Sequence, residues 1–182
     1  LPKDGYGKIS SAAASLYQNG ALREKIESSI IGENEIADGA SARLGGIRRE
    51  IRDVNARIRA KLNSYVTGEN AKYLQDAIVT VRGGRFVLPV RSEHRMRVNG
   101  WVHDRSASGA TLFIEPFAVL EMNNDLKALR ADEQNEIEAI LTALSFEASQ
   151  CAEGLRGNAD ILTGADKAFA LAKYARATRS TV

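Results

Sequence analysis

Residues 71–116 read AKYLQDAIVTVRGGRFVLPVRSEHRMRVNGWVHDRSASGATLFIEP and form a β-patterned block between two long helical repeats. Two apolar stretches, 77–82 and 85–91, flank Gly83-Gly84, and both glycines accept the positive φ that a two-residue hairpin turn requires. A second pair of stretches, 100–105 and 110–115, flanks a Ser-Ala-Ser-Gly turn. The block is too small to enclose a large pocket, so we expect it to contact a partner.

Counting outward from the glycine turn predicts the register of the first hairpin. Arg82 lies opposite Arg85, and Arg91 shares their face. Two opposed arginines repel each other unless an anion or an acidic group lies between them. Pro89 cannot donate to a ladder, which predicts that its strand is an edge or carries a bulge. The apolar face is then formed by Val79, Val81, Phe86, Leu88 and Val90.

Two long helices are predicted on either side of the block. The first covers residues 41–66, and at 1.5 Å per residue it is about 40 Å long. The second follows Pro116 and extends to about residue 156, after which Gly154 and Gly157 separate a final helix at 158–178. In each long helix, apolar residues recur at a/d spacing and form a seam along one side. The first seam comprises Leu44, Ile47, Ile51, Val54, Ile58, Leu62 and Val66; the second comprises Val119, Met122, Leu126, Leu129, Ile137, Ile140, Leu144, Cys151 and Leu155.

Charge and periodicity together predict a mainly helical α+β fold. The first long helix is basic and the second is acidic, which favours a long antiparallel helical hairpin carrying a small antiparallel sheet at its tip. Short helices at 8–31 and the final helix are expected at its base. We divide the chain into a helical core part (1–40), a lever helix (41–66), a β clamp (67–116), a second lever helix (117–156) and a further core part (157–182). Both ends look cut from a longer protein.

Positive charge is concentrated in one segment of the chain. Residues 43–105 contain 14 lysines and arginines against 6 acidic residues, although the net charge of the chain is only +2. Such a segment points to a polyanion as partner. The alternative is a solvated basic helix face that pairs with the acidic helix, and this explains part of the excess.

Five arginines of the β block are the candidate nucleic-acid contacts, because guanidinium groups bind phosphates through one or two hydrogen bonds. We call them the arginine cluster: Arg82, Arg85, Arg91, Arg95 and Arg97. The alternative is that they keep a small exposed sheet soluble and protect its edges. Trp101 is able to stack on a base, but a single tryptophan in a strand is more often buried, and we expect it in the core.

Catalytic and metal sites are not expected in this segment. His103 and Asp104 are adjacent in a strand and point to opposite faces, so they do not form a triad relay with Ser106. Two histidines and one cysteine cannot assemble a zinc site, and no phosphate-binding loop is present. A single cysteine excludes an intramolecular disulfide, and no apolar run is long enough to span a membrane. A cytoplasmic location is therefore expected.

The run KYLQDAIVTVRGGRFVLPVRSEHRMRVNGWVHDRSASGATLFIEP (72–116), followed by LEMNNDLKAL (120–129), resembles the middle of the bacterial MutS-two family. The part most specific to that family is 102–116, and the looser likeness extends over 22–66 and 159–178. Family members tend to have proline at the position of Ala77, and lysine-alanine at the position of Arg91-Ser92. Both departures are mild and leave the positive charge in place.

The resemblance implies that the chain is the core, lever and clamp segment of a MutS paralogue. Members of that family are ATP-driven homodimers that close around nucleic acid and typically carry a C-terminal Smr nuclease domain. ATP and magnesium belong to an ATPase region without a counterpart here, so no cofactor is expected in this segment. The family is linked to suppression of recombination through branched DNA, and to the splitting of stalled ribosomes.

Two functions remain open at this point. The first is a non-catalytic clamp that contacts the backbone of branched or duplex DNA in suppression of recombination. The second is a structural module of the same parent protein, which mediates dimerisation or docks on the ribosome, and its ribosomal RNA, in rescue of stalled ribosomes. A catalytic function would require Asp104 or Glu115 to support nuclease activity, and the sequence offers little for it.

Overall fold

The computed structural model describes residues 4–179 of the chain, and the mainly helical α+β class is confirmed. Short 3₁₀ turns at Asp38–Ala40, Glu69–Tyr73, Ser92–Arg97 and Phe117–Val119 join several of the elements. The helices are α1 (Asp4–Ala14), α2 (Gly20–Ser29), α3 (Ala42–Thr67), α4 (Leu120–Gln150) and α5 (Ala152–Thr178). The strands are β1 (Ile30–Gly32), β2 (Glu35–Ile36), β3 (Thr80–Arg82), β4 (Arg85–Arg91), β5 (Gly100–Arg105) and β6 (Thr111–Pro116).

The described residues form two compact units. One contains the residues up to Glu35 and from Ile140 onward, and the other is Ile36–Ala139. The second unit holds the four-stranded sheet, α3 and the first part of α4. It therefore contains the whole β-patterned block, residues 71–116.

The core of Ile36–Ala139 lies between the sheet and the two long helices. The α3 seam is confirmed, because Leu44, Ile58 and Leu62 are fully buried and the remaining seam positions are buried or half-buried. Val119 and Leu126 of the second seam pack into the same cluster. The shared cluster consists of Val54, Ile58, Leu62, Leu74, Phe86, Leu88, Val90, Val98, Leu112, Ile114, Val119 and Leu126.

Ion pairs between α3 and α4 show that these helices run antiparallel. Arg43 reaches Glu136 at 3.4 Å and Arg48 reaches Glu133 at 2.7 Å, so later residues of α3 meet earlier residues of α4. Ser41 caps α3 by accepting a hydrogen bond from Leu44 N, and its hydroxyl donates to Glu136. Complementary charge on the two long helices was predicted, and these pairs confirm it.

Arg48 also connects α3 to the preceding 3₁₀ turn, where it binds Asp38 at 2.6 Å. Arg48 first, and then Arg52, lowers the pKa of Asp38 below its ordinary value of 3.8. Because folding lowers this pKa, the interaction stabilises the fold above about pH 4 and is lost as the pH falls through the folded value.

We therefore expect the stability difference between the wild-type chain and the Asp38→Asn variant to shrink as the pH falls from neutral to acidic values. Urea unfolding of both proteins across that range measures it. Asp53→Asn, at an exposed position of α3 outside these ion pairs, is the matched control. A constant difference between the wild type and Asp38→Asn at every pH would contradict the linkage.

The four-stranded sheet is antiparallel, with the strand order β3-β4-β6-β5. The predicted register of the first hairpin is confirmed, with Arg82 opposite Arg85 and Val81 opposite Phe86. Gly83 and Gly84 have φ values of 54° and 77°, which is the left-handed region that a tight hairpin turn requires. The predicted burial of Val81 is wrong: its side chain is exposed, because β3 is only three residues long and lies at the edge.

The prediction that the strand of Pro89 is an edge or carries a bulge is wrong, since β4 lies between β3 and β6 and pairs with β6 without a register shift. Pro89 is opposite Phe113 of β6, while its carbonyl accepts a hydrogen bond from Gln75 N at 2.8 Å. In an antiparallel strand the N and the C=O of one residue point to the same side. The nitrogen of Pro89, which carries no hydrogen, thus points away from β6. It faces the segment that pairs with β4 through the Leu74–Val90 bridge.

The other unit brings α5 against the connection between α1 and α2. Two hydrogen bonds join Asn158 of α5 to Tyr17. The Tyr17 backbone N–H donates to Asn158 Oδ1 at 2.7 Å, and the Asn158 amide donates to the Tyr17 carbonyl at 2.9 Å. The predicted helix break at Gly154 and Gly157 is wrong, because both glycines lie inside α5 and the break occurs at Cys151. A Cβ at Gly154 would lie 2.4 Å from the Tyr17 ring. Close packing therefore explains that glycine.

Several apolar residues of this unit are exposed. Leu155, predicted as the end of the second seam, is half exposed, because it lies beyond the break at Cys151. Leu162, Phe169 and Leu171 of α5 are also exposed. The α5 helix thus presents an apolar surface that the described residues of its own unit do not cover.

Candidate nucleic-acid interface

The arginine cluster lies on and beside the four-stranded sheet, and its members have different surroundings. Strand register places Arg82, Arg85 and Arg91 on one face, as predicted, together with Trp101, Phe113 and Glu115. We call this surface the arginine face. The opposite face carries Phe86, Leu88 and Val90 into the core. The 3₁₀ turn Ser92–Arg97 supplies Arg95 and Arg97.

Arg82 is held over the sheet and remains partly open to solvent. Its guanidinium carbon lies 4.2 Å from the centre of the Phe113 ring, and its Nε lies 3.6 Å from Asp104 Oδ2. The side chain is 44% exposed. An exposed ion pair of this kind is worth about 0–1 kcal/mol. A phosphate can therefore compete for the Arg82 guanidinium at little energetic cost.

Arg85 is turned inward, toward Glu115 and α4. Its Nη1 donates to Glu115 Oε1 at 2.7 Å, its Nη2 donates to Asn124 Oδ1 at 2.5 Å, and its side chain is only 20% exposed. The repulsion expected between Arg82 and Arg85 is thus relieved by an acidic partner for each. Most of the Arg85 guanidinium is engaged inside the protein, so its contribution to a polyanion site is small.

Glu115 is the centre of a buried polar network. It is fully buried, and it accepts hydrogen bonds from Arg85 and from Asn123 Nδ2 at 2.7 Å each. Asn123 also bonds both backbone groups of Phe86, at 3.1 Å each. One carboxylate thereby connects β6, β4 and α4. The signal in the sequence was a single glutamate ending an apolar run, TLFIEP, and it was not recognised as a structural centre.

His103 completes this network because β5 carries a bulge. The register shifts between Val102 and Asp104, which leaves His103 without a cross-strand partner, and its Nε2 contacts Glu115 Oε2. An ionised carboxylate accepts hydrogen bonds only, so the contact is a hydrogen bond in the His103 tautomer that has its proton on Nε2. His103 therefore bonds Glu115 rather than Asp104. Within residues 4–179, no three His, Cys, Asp or Glu side chains form a group that could hold a metal ion.

The remaining members of the arginine cluster differ in availability. Arg91 is exposed at the end of β4 and forms no ion pair with any described residue. Arg95 donates to the carbonyls of Val98 at 3.2 Å and Gly100 at 3.0 Å, so it supports the start of β5. Arg97 is exposed and lies 5.9 Å from the centre of the Tyr73 ring. Arg82, Arg91 and Arg97 are thus the three open guanidinium groups of the cluster.

Tyr73 was not recognised from the sequence, yet it gathers several cationic groups. The Lys72 ammonium lies 5.2 Å from its ring centre, and Arg97 approaches the same ring. The His94 ring meets it edge-on at 5.2 Å. Cations near an aromatic face are attracted by its quadrupole. Tyr73 therefore concentrates positive charge beside the sheet.

Trp101 is not a core residue, and the prediction that placed it there is wrong. Its side chain is 59% exposed, because β5 is an edge strand and the helices cover the other face of the sheet. Its ring meets that of Phe117, which is 55% exposed, with centroids 6.1 Å apart and planes at 78°. We call these two residues the aromatic step.

The two long helices form a hairpin, and an antiparallel sheet that carries arginines packs against it. This architecture belongs to the mainly helical α+β class. The chain is homologous to a segment of bacterial MutS2 proteins, which confirms the resemblance to that family. It is 49% identical over 169 residues to Endonuclease MutS2 of Clostridioides difficile (strain 630), a match that covers 92% of this chain and 21% of the relative.

Other relatives agree with this assignment. Endonuclease MutS2 of Ruminiclostridium cellulolyticum (strain ATCC 35319 / DSM 5812 / JCM 6584 / H10) is 45% identical over 96% of this chain and 22% of its own length. Endonuclease MutS2 of Geobacillus sp. (strain WCH70) is 44% identical over 98% of this chain and 23% of its own length. The chain spans about one fifth of the length of these curated relatives.

No protein-family model matches the chain. In the part of the chain that the structure describes, no helix combines the length and apolar character needed to cross a membrane.

Proposed function

We propose that this chain is the lever and clamp segment of a MutS2-family protein and that its β block contacts the backbone of nucleic acid. Residues 41–66 and 117–156 are then the levers, and residues 67–116 are the clamp. The observation that carries the proposal is that Arg82, Arg91 and Arg97 present open guanidinium groups on or beside a sheet that packs against two long helices.

The geometry favours contact with phosphates over the reading of base sequence. Guanidinium groups bind phosphate oxygens, and such contacts position a protein on nucleic acid without sequence information. The sides of α3 and α4 that face the sheet are packed into the shared cluster, so those sides are closed to a nucleic acid. The target we propose is branched or duplex DNA, in a protein that suppresses recombination.

The rest of the parent protein supplies the other activities in this proposal. ATP and magnesium would bind an ATPase region outside this chain, the parent would act as a homodimer, and any nuclease activity would lie elsewhere. This segment would be non-catalytic. The long helices would connect the ATPase state to the clamp.

A second candidate is a structural module that mediates dimerisation or docks on the ribosome and its RNA during rescue of stalled ribosomes. The exposed apolar side chains of α5, Leu162, Phe169 and Leu171, favour it. Sedimentation of the chain separates the two candidates. A tight dimer that ignores DNA supports the module, and a monomer that binds DNA supports the clamp.

Charge reversal of the open guanidinium groups tests the clamp. The variant Arg82→Glu/Arg91→Glu/Arg97→Glu is expected to bind duplex and four-way-junction DNA at least about tenfold more weakly than the wild type at low salt. Three neutralised phosphates predict a log–log salt slope of about −2.7, or about 40-fold weaker wild-type binding at roughly 200 mM than at roughly 50 mM salt. Fluorescence anisotropy with labelled DNA, and with a ribosomal RNA fragment, measures both quantities.

The matched control reverses three exposed basic residues of α5, Arg156→Glu/Lys173→Glu/Arg176→Glu, and so has the same net charge as the test variant. It should retain most of the wild-type affinity. Equal losses in the two variants would show a general charge effect, and an absence of wild-type binding at low salt would refute the clamp.

A further inference from the structure

The aromatic step, Trp101 and Phe117, is a large exposed apolar feature of the arginine face. Burying a tryptophan is favourable by a few kcal/mol, so one left 59% exposed in a strand calls for an explanation. Neither the register of β5 nor the hairpin turns require an aromatic residue at this position. The proposed backbone contacts do not use it either.

A hydrogen bond holds the backbone beside each ring of the aromatic step. Gly100 is buried and its carbonyl accepts a hydrogen bond from Arg95 Nη2 at 3.0 Å. Phe117 N donates to the Asn99 carbonyl at 3.1 Å. The edge-to-face contact with Phe117 further restricts the orientation of the indole. A flat ligand would therefore meet a preformed surface.

Charged side chains lie next to this surface along the same face of the sheet. Trp101 lies opposite Glu115, which bonds Arg85 and His103. Further along β5, Asp104 pairs with the partly open Arg82. A protein partner anchored by a tryptophan usually meets an apolar, water-excluding surround. Aromatic rings interleaved with arginines are instead typical of surfaces that stack single-stranded bases and neutralise their phosphates.

We propose that Trp101 stacks on an unpaired nucleobase of the same nucleic acid whose backbone the open arginines contact. This inference rests on the proposed function. Bases inside a duplex are stacked on each other and offer no free face. The ligand is therefore a polynucleotide with unpaired bases, as in single strands and at open branch points. Every base has an aromatic face, so this contact is tolerant of sequence.

Trp101 is the only tryptophan of the chain, so its fluorescence reports on this position alone. Titration with an oligothymidylate of about 20 nucleotides is expected to quench the emission, whereas a blunt duplex of the same length at equal occupancy is not. Anisotropy of labelled forms of the same DNA measures occupancy. An oligouridylate arm compares RNA with DNA.

Substitution of the ring gives the second readout. Trp101→Ala is expected to weaken oligothymidylate binding about fivefold or more while changing duplex binding less than twofold. Trp101→Phe should restore part of the loss, because it keeps an aromatic face. Met96→Ala removes another exposed apolar side chain of the block and is the matched control, with wild-type affinity expected. Circular dichroism checks that every variant is folded.

Each remaining outcome decides against the inference. Binding of both DNAs without quenching, or with equal quenching, overturns base stacking but leaves backbone contact intact. Absence of binding by either DNA at low salt overturns both. If Trp101→Ala converts a dimer to a monomer while oligothymidylate affinity is unchanged, the aromatic step is a contact between copies of the chain, and stacking is overturned.

Discussion

Replacing Glu115 by alanine is expected to lower the free energy of unfolding of the sheet unit by about 3–5 kcal/mol, the usual cost of removing one partner of a buried ion pair. Glu115 is fully buried and accepts from Arg85 and Asn123 at 2.7 Å each. Its removal leaves a half-buried guanidinium and a buried amide donor without their acceptor. The penalty is the desolvation of those groups, not only the loss of attraction.

Urea unfolding followed by Trp101 fluorescence measures this effect locally, because Trp101 lies opposite Glu115 in the sheet. Glu115→Gln keeps the shape and one of the two acceptor oxygens but removes the charge, so it should cost less than Glu115→Ala. Glu93→Ala, at an exposed glutamate of the same block, is the control and should change stability by less than about 0.5 kcal/mol. A Glu115→Ala variant as stable as the wild type would show that the network contributes nothing.

Replacing Ile58 by alanine is expected to lower the stability of the same unit by about 2–5 kcal/mol. Ile58 is fully buried in α3 and belongs to the cluster that joins the helix to Leu88 and Ile114 of the sheet and to Leu126 of α4. The substitution removes three methyl and methylene groups and leaves a cavity, since three different elements surround the site and cannot all close onto it.

Ile78→Ala is the matched control, because Ile78 is exposed and the same groups are removed. Its effect should be small. If the two variants were equally stable, the helices and the sheet would not share a core, and the proposed connection between levers and clamp would lose its physical basis. Calorimetry or urea unfolding of the two Ile→Ala variants compares their stabilities directly.

Local patterns predicted the elements that depend on neighbours in sequence. The spacing of Leu44, Ile58 and Leu62 predicted the buried side of α3, and Ser41 was correctly placed at its start. Gly83-Gly84 predicted the hairpin and its register, because a two-residue turn leaves one way to pair the strands. These features follow from backbone geometry and from the periodicity of helices and strands.

Features that depend on elements distant in sequence were missed. Pro89 was predicted to lie in an edge strand or beside a bulge, because no local pattern shows which neighbour its nitrogen faces. Gly154 was interpreted as a helix break. It instead leaves space for the ring of Tyr17, a residue far away along the chain. The inward turn of Arg85 depends on Glu115 and Asn124. No local pattern encodes these partners.

The amino-acid sequence by itself determined the seam of α3, the hairpin register, the concentration of positive charge in residues 43–105 and the kinship with MutS2 proteins. Only the tertiary structure decided which arginines stay open, that Glu115 is the buried centre of a polar network, and that Trp101 faces solvent. The physical reason is that burial and pairing depend on which face of a strand the helices cover. The alternation of residues along a strand predicts that the sheet has two different faces, but the packing of the helices decides which face is exposed to solvent.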